Sequence, residues 1–338
     1  MVDNSIILNI FNELLKPSEK CLSLARIKEK LTSLSDTDKL MGLTRNNFLN
    51  PVELEYYQNL YDMKKTIIDN IRENEEKLKE DPNDDYSKLR ESLIKNMTDN
   101  LNELEDTLFS YERRLFDGYE PPKQKEIDVD FDKFELDNTN DLFGGTDWND
   151  TLGDIERVMV NDTLKSKLES SHVNALRSYF DDAYLLNSFL NNGSMWNGLS
   201  KSEQDYMRPN FNKLSNLLSD AISRTGGLKK DTVLFHAGKF DPSKVVGDHI
   251  KFKGFTSTSF SRGFAEDYVE GTVYNNLDGS VEYIYAILAP TGTKGVSANT
   301  RPVTLTEHHE EHEYLLDKGF EGDIVSIDVD NHIVYVTP

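Results

Sequence analysis

Apolar residues recur at helical spacing through the first third of the chain. Leu8, Phe11, Leu14 and Leu15 form one stripe, and Leu22, Ile27 and Leu31 a second, with Pro17 and Gly42 as punctuation. The most sustained pattern covers residues 51–118. Tyr57, Leu60, Met63, Ile67, Ile71 and Leu78 recur mostly every three or four positions, and after Asp81-Pro82-Asn83-Asp84 the pattern resumes at Tyr86, Leu89, Leu93, Met97, Leu101, Leu104, Leu108, Tyr111 and Leu115. This predicts two long amphipathic helices joined by a tight turn, an antiparallel hairpin with a narrow, coiled-coil-like seam. Residues 155–228 return to helical periodicity, with Leu176, Tyr179, Phe180, Ala183, Tyr184 and Leu186 on one face and Leu214, Leu217, Leu218, Ala221 and Ile222 on another. From Thr232 the texture changes to short β-type runs: 232–236, 249–252, 255–259, 283–288, 313–316, 323–330 and 333–336. The expected fold class is α+β.

Charge adds a boundary to this pattern. The 338 residues carry 38 Lys and Arg against 60 Asp and Glu, a formal net charge of −22. Residues 126–154 alone contribute −9, with ten acids against the single base Lys133. The chain is therefore expected to divide into a helical N-terminal domain (1–125, with the hairpin at 51–118), an acidic linker (126–164) carrying a short strand near 127–134, and a C-terminal domain (165–338). The acid excess argues against direct nucleic-acid binding, which needs clustered Lys and Arg for phosphates. Asp128-x-Asp130-x-Asp132 fails as a calcium loop, because the sixth position is Lys133 and the twelfth Thr139. One cysteine, Cys21, excludes an intrachain disulfide. The N-terminus lacks a basic region and its apolar run is interrupted, so no cleavable signal is expected. No stretch reaches transmembrane length, and no membrane partner is expected. The expected location is cytoplasmic.

Three segments of the β-rich half carry candidate chemistry: Val233-Leu234-Phe235-His236-Ala237-Gly238, Gly254-Phe255-Thr256-Ser257-Thr258-Ser259 and Glu311-His312-Glu313-Tyr314-Leu315-Leu316. Side chains alternate along a strand, so Ser257 and Ser259 share a face, as do Glu311 and Glu313. Two carboxylates side by side repel unless something uses them. Beside a hydroxyl-bearing strand they suit a reaction in which positive charge develops, such as glycosidic cleavage through an oxocarbenium-like state. The plain alternatives are an ordinary edge strand at Ser257–Ser259 and a core histidine at His236. His308 and His312 are four apart, but His309 stands where a zinc-protease helix needs glutamate, so no metal site is expected. No phosphate-binding Walker loop or serine triad is evident.

Together and in this order, the three segments resemble the Arg–Ser–Glu class of mono-ADP-ribosyltransferases, which includes bacterial exoenzymes and phage-encoded enzymes. The resemblance extends over roughly residues 165–338. It includes Tyr184-Leu185-Leu186-Asn187-x-x-Leu190, similar to that family's helix ahead of the first strand, and a following helix at Leu214–Ile222. It implies helices packed on a β-sandwich core and NAD as a substrate. Glu313 would be the catalytic glutamate, holding the nicotinamide-ribose 2′-hydroxyl and stabilising the cation as nicotinamide leaves. Ser257 would orient it, and Glu311 would engage an arginine acceptor. His236, Ala237, Gly238, Ser257, Thr258 and Ser259 would line the NAD site. Residues 261–280 would form a loop over the dinucleotide, with Phe264, Tyr268 and Tyr274 as stacking candidates, and 297–310 the acceptor-recognition loop.

One position departs from the pattern, because His236 stands where this class has arginine. Histidine there is similar to the diphtheria-toxin and poly-ADP-ribose polymerase branch, in which it contacts the adenosine-side ribose. Three alternatives follow: His236 binds NAD in its own way while Arg262, Arg301 or Lys239 serves the phosphates, the site is weakened, or the domain is a non-catalytic relic. The resemblance implies an NAD-dependent transferase acting on an arginine of a protein, expected to be a host protein. The alternative is a phage virion-associated or interaction protein, docked on a phage particle through its N-terminal helices and packaged with it.

Overall fold

The computed structural model describes residues 24–80, 86–117, 119–122, 127, 129, 168–272, 282–299, 303 and 312–338. The stripe at Leu8–Leu15, Cys21, the turn at 81–84 and nearly all of the acidic segment lie outside the described residues. Two compact units emerge, Met1–Lys123 with Asp241–Lys244 and Asn275–Val281, and Gln124–Phe240 with Val245–Tyr274 and Glu282–Pro338.

The first unit is helical. Helix α1 spans Leu24–Thr32, α2 Asp36–Arg45, α3 Pro51–Glu80 and α4 Ser87–Glu112, followed by a 3₁₀ turn at Arg113–Leu115. Ser35 starts α2 through a reciprocal capping box with Asp38. The two long helices lie against each other with opposite chain direction: Glu53 meets Arg114 at 2.8 Å, Tyr57 donates to Glu112 at 3.1 Å, and Lys64 meets Glu105 at 2.9 Å. Leu43, Tyr57, Leu60, Leu104, Leu108, Tyr111 and Leu115 form the core at this end. Burial does not follow the apolar stripe along its whole length, because Leu89 and Leu93 remain 56% and 43% exposed.

The second unit places helices α5 (Ser170–Asp181), α6 (Tyr184–Asn191), α7 (Ser194–Asn197) and α8 (Lys201–Ser223) ahead of the strands. The strands are β1 Thr232–Lys239, β2 His249–Lys251, β3 Thr256–Ser259, β4 Glu282–Ala289, β5 Gly295–Ser297, β6 Glu313–Leu316, β7 Glu321–Asp328 and β8 Ile333–Thr337, with helix α9 (Arg262–Thr272) after β3. They hydrogen-bond in one order, β2-β7-β8-β4-β1-β3-β6-β5, rather than as two separate sheets. β4 is buried along its entire length and pairs with β1 over eight positions. The β1–β3 joint is much weaker. It has a single register pair, Phe235 opposite Ser259. The three-residue β5 is too short for its alternation to register in the sequence.

Two cores flank this joint. Leu176, Tyr179, Leu186, Leu218, Ile222, Phe255, Val296 and Leu315 bring α5, α6 and α8 onto β3, β5 and β6. Val233, Phe235, Ile284, Ala286 and Leu288 pack with Ala265 and Val269 of α9, and Ile127 and Val129 lie against this second core. These two residues stand two positions apart, the spacing at which an extended chain turns both side chains to one face.

Gly295 shows how closely β5 approaches β6. A Cβ there would lie 2.2 Å from the Tyr314 ring and 2.8 Å from the Leu315 carbonyl. Gly295→Ala is expected to cost about 1–3 kcal/mol of stability through overpacking, measured by urea unfolding. An unchanged midpoint would show that the strand pair has room for a side chain.

Candidate active site

The site is built on the open edge of β3. Residues 255, 257 and 259 turn their backbone polar groups toward the same edge, by the period of two of an extended chain. Ser259 has a ladder partner there in Phe235. Beyond that pair, side chains replace the missing strand. The His236 ring Nδ1 lies 2.7 Å from the Ser257 carbonyl. The Asn187 amide takes both polar groups of Phe255, accepting from its N–H at 3.0 Å and donating to its carbonyl at 3.2 Å. Gly254 leaves room for the bond from the Phe255 N–H, since a Cβ there would stand 2.7 Å from Asn187 Oδ1.

The opposite edge of β3 is fully paired with β6. Ser259 lies across from Glu313, Thr258 from Tyr314 and Ser257 from Leu315. Directly opposed residues of an antiparallel pair project to the same side, so Ser257, Ser259 and Glu313 share one face. Leu315 on that face belongs to the core formed with α5, α6 and α8, which places these polar groups at the margin of an apolar region. Ser257 Oγ is 3.1 Å from the Tyr179 hydroxyl, and Asn187 Nδ2 donates to that hydroxyl at 2.9 Å. Burial raises the Tyr179 pKa well above the ordinary phenol range; the Glu313 charge adds to the shift, and the hydrogen bonds shared with Ser257 and Asn187 oppose it. His312, just before Glu313, is buried with φ of 46°, a left-handed conformation uncommon for a residue with a Cβ. Thr258 turns away and donates to the Tyr314 carbonyl, while Ser259 Oγ accepts from the Ser261 N–H at 2.9 Å.

His236 sits among aromatic rings, edge-on to Phe252 at 5.4 Å and tilted against Tyr285 at 5.9 Å. Burial lowers its pKa below 6.5, against the opposing pull of the Ser257 carbonyl and the Glu282 charge. A Cβ on Gly238 would come within 3.2 Å of His236 Nε2, so glycine leaves that side of the ring open. Ala237 points elsewhere, packing on the core beneath α9.

The segment after β3 differs from the expected loop, because Arg262–Thr272 is the helix α9. Ser261 Oγ accepts from the Phe264 N–H at 3.3 Å, and Ala265 and Val269 supply a buried stripe. Arg262 is engaged by Glu266 at 2.7 Å. Phe264 is half-buried, and Tyr268 is 43% exposed with its pKa raised, chiefly by burial. Glu311, Arg301, Tyr274 and most of the 297–310 segment lie outside the described residues. Among the described residues no group of acidic, His or Cys side chains is arranged to hold a metal ion, and no helix is long and apolar enough to cross a membrane. Tyr179, Phe252 and Tyr285 were not singled out by sequence. Tyr179 belongs to an apolar helix face, and nothing in that periodicity marks which member carries a hydroxyl that reaches Ser257.

No protein-family model matches the chain, and no curated protein matches it. Among solved structures, it is similar to the ADP-ribosyltransferase Vis in complex with agmatine, at 14% identity and a TM-score of 0.45, covering 56% of this chain and 82% of that one. Vis is a toxin from Vibrio splendidus. C3stau2 from S. aureus, solved with NAD, aligns at 14% identity and a TM-score of 0.36, over 64% of this chain and 97% of that one. C2-I, the enzymatic component of the C2-toxin of Clostridium botulinum, aligns at 17% identity and 0.35, over 52% and 44%. Similarity at this level leaves the chemistry of the site to its own residues.

The buried imidazole sets a direction for pH dependence. A folded pKa below the unfolded value means that the unfolded chain binds more protons around pH 6, so this group's stabilising contribution is present above 6.5 and is lost as pH falls through that value. Compared with His236→Gln, the natural protein is expected to lose additional stability between pH 7.5 and 5.5, by at most about 1.4 kcal/mol per pH unit. Denaturant midpoints at both pH values check this, and parallel loss in the two proteins would remove His236 as the cause.

Proposed function

We propose that this protein transfers ADP-ribose from NAD to an arginine of a target protein, with release of nicotinamide. The observation that carries this reading is the common face of Ser257, Ser259 and Glu313, set beside the His236 ring where β1 and β3 part. The nicotinamide–ribose C–N bond breaks with its electron pair moving to the pyridinium nitrogen, which leaves neutral. Positive charge develops on the ribose, and the Glu313 carboxylate stabilises it. A guanidinium nitrogen of the acceptor then bonds to the ribose carbon and yields its proton to Glu311, a carboxylate suited to holding guanidinium.

The proton arrangement at His236 supports its own mode of binding NAD. A carbonyl oxygen can only accept, so Nδ1 carries the hydrogen donated to Ser257. With the pKa lowered by burial, the ring is neutral at pH 7, and Nε2 presents a lone pair. Such an atom takes a ribose hydroxyl and repels a phosphate. His236 therefore does not stand in for an arginine at the phosphates. Lys239 at the exposed end of β1, Arg262 and Arg301 are the cations proposed for the phosphates, and Arg262 would have to exchange its contact with Glu266 to serve them.

The acceptor in this reading is a host protein, and the enzyme acts in the host cytoplasm. A second reading, an interaction protein with a catalytically weak domain, is favoured by the same absence of arginine at position 236. In that reading the N-terminal helices dock on a phage particle, for which the exposed Leu89 and Leu93 offer apolar surface. Incubation with labelled NAD and cell extract tests the enzyme, with an expected loss of roughly 100-fold or more in Glu313→Ala. Equal labelling by both proteins would sink the mechanism, and absence of calorimetric binding at millimolar NAD would leave the second reading.

A further inference from the structure

We propose that Tyr179 is a positioning residue that donates its phenolic hydrogen to Ser257 Oγ and so turns the Ser257 hydrogen toward Glu313. This rests on the function proposed above and assigns a part to a helix residue 78 positions away from the serine. The argument begins at Phe255. Its backbone N–H can only donate, so the Asn187 atom 3.0 Å from it must be the amide oxygen. That settles the orientation of the amide. The Asn187 NH₂ group then spends one hydrogen on the Phe255 carbonyl at 3.2 Å and the other on the Tyr179 oxygen at 2.9 Å.

Tyr179 has thus accepted one hydrogen and retains its own. Two acceptors are within reach, Ser257 Oγ at 3.1 Å and the Phe255 carbonyl at 3.4 Å. The carbonyl is farther and already receives Asn187. The serine oxygen is nearer, and Tyr179 is buried, with 1% of its surface exposed. A hydroxyl that accepts from a fixed neighbour is left to donate elsewhere, and each bond in such a chain polarises the next. The side chain that shares the face of Ser257 and carries an acceptor charge is Glu313, whose charge is also felt at the Tyr179 hydroxyl. The direction Asn187 to Tyr179 to Ser257 to Glu313 follows.

A double-mutant cycle on the full chain tests this with Tyr179→Phe, Ser257→Ala and the pair, reading NAD turnover and urea midpoints. Tyr179→Phe is expected to lower kcat about tenfold with KM for NAD changed less than about twofold. In the Ser257→Ala background the same substitution should leave kcat unchanged. An equal loss in both backgrounds, or no loss in the natural one, would overturn the relay. If the natural protein consumes no NAD, the proposed function fails on its own account. The urea midpoints then decide the hydrogen bond: non-additive shifts sustain it, and additive shifts overturn it.

Discussion

A strand that leaves its neighbour must find other partners for its polar backbone groups, and the candidate site depends on how β3 does so. After the Phe235–Ser259 pair, the open edge of β3 is closed by the His236 ring on the Ser257 carbonyl and the Asn187 amide on Phe255. An unpaired buried amide or carbonyl costs on the order of 1–3 kcal/mol, so these two side chains are structural requirements of the gap. Closing the edge in this way sets the His236 ring beside Ser257 and brings the Asn187 amide onto the Tyr179 hydroxyl.

The packing on either side keeps the two strands from closing up. Helices α5, α6 and α8 hold β3 and β6 through one core, while α9 holds β1 and β4 through another. Close packing of this kind is stiff, so the separation of Ser257 from β1 is set by two independent sets of apolar contacts. Gly254 and Gly238 are the fine adjustments. The first admits Asn187 to the Phe255 backbone, and the second leaves Nε2 of His236 uncovered. In each case a methyl group would occupy space that a polar atom now uses.

Much of this was legible in the residues. The shared face of Ser257 and Ser259 followed from strand alternation, and the long α3 and α4 from apolar stripes. Helix α9 was not legible: Gly263, Gly271 and the polar residues around Phe264 resemble a loop, and only the burial of Ala265 and Val269 against β1 and β4 makes a helix of them. Tyr179 and Leu176 look alike in the periodic pattern, yet one carries a hydroxyl that reaches Ser257.

The sequence by itself determined which residues alternate toward a common face, where the long helices and most of the strands occur, and that a hydroxyl-bearing strand segment precedes a segment with paired carboxylates. Those are local properties of backbone period and residue type. The tertiary structure alone decided that β1 and β3 separate after one pair, that His236 is held with its hydrogen on Nδ1 against Ser257, that Asn187 closes on Phe255, and that Tyr179 reaches Ser257. Each of these joins residues far apart in the chain. Their distances are set by how two apolar cores pack, and no local pattern carries that information.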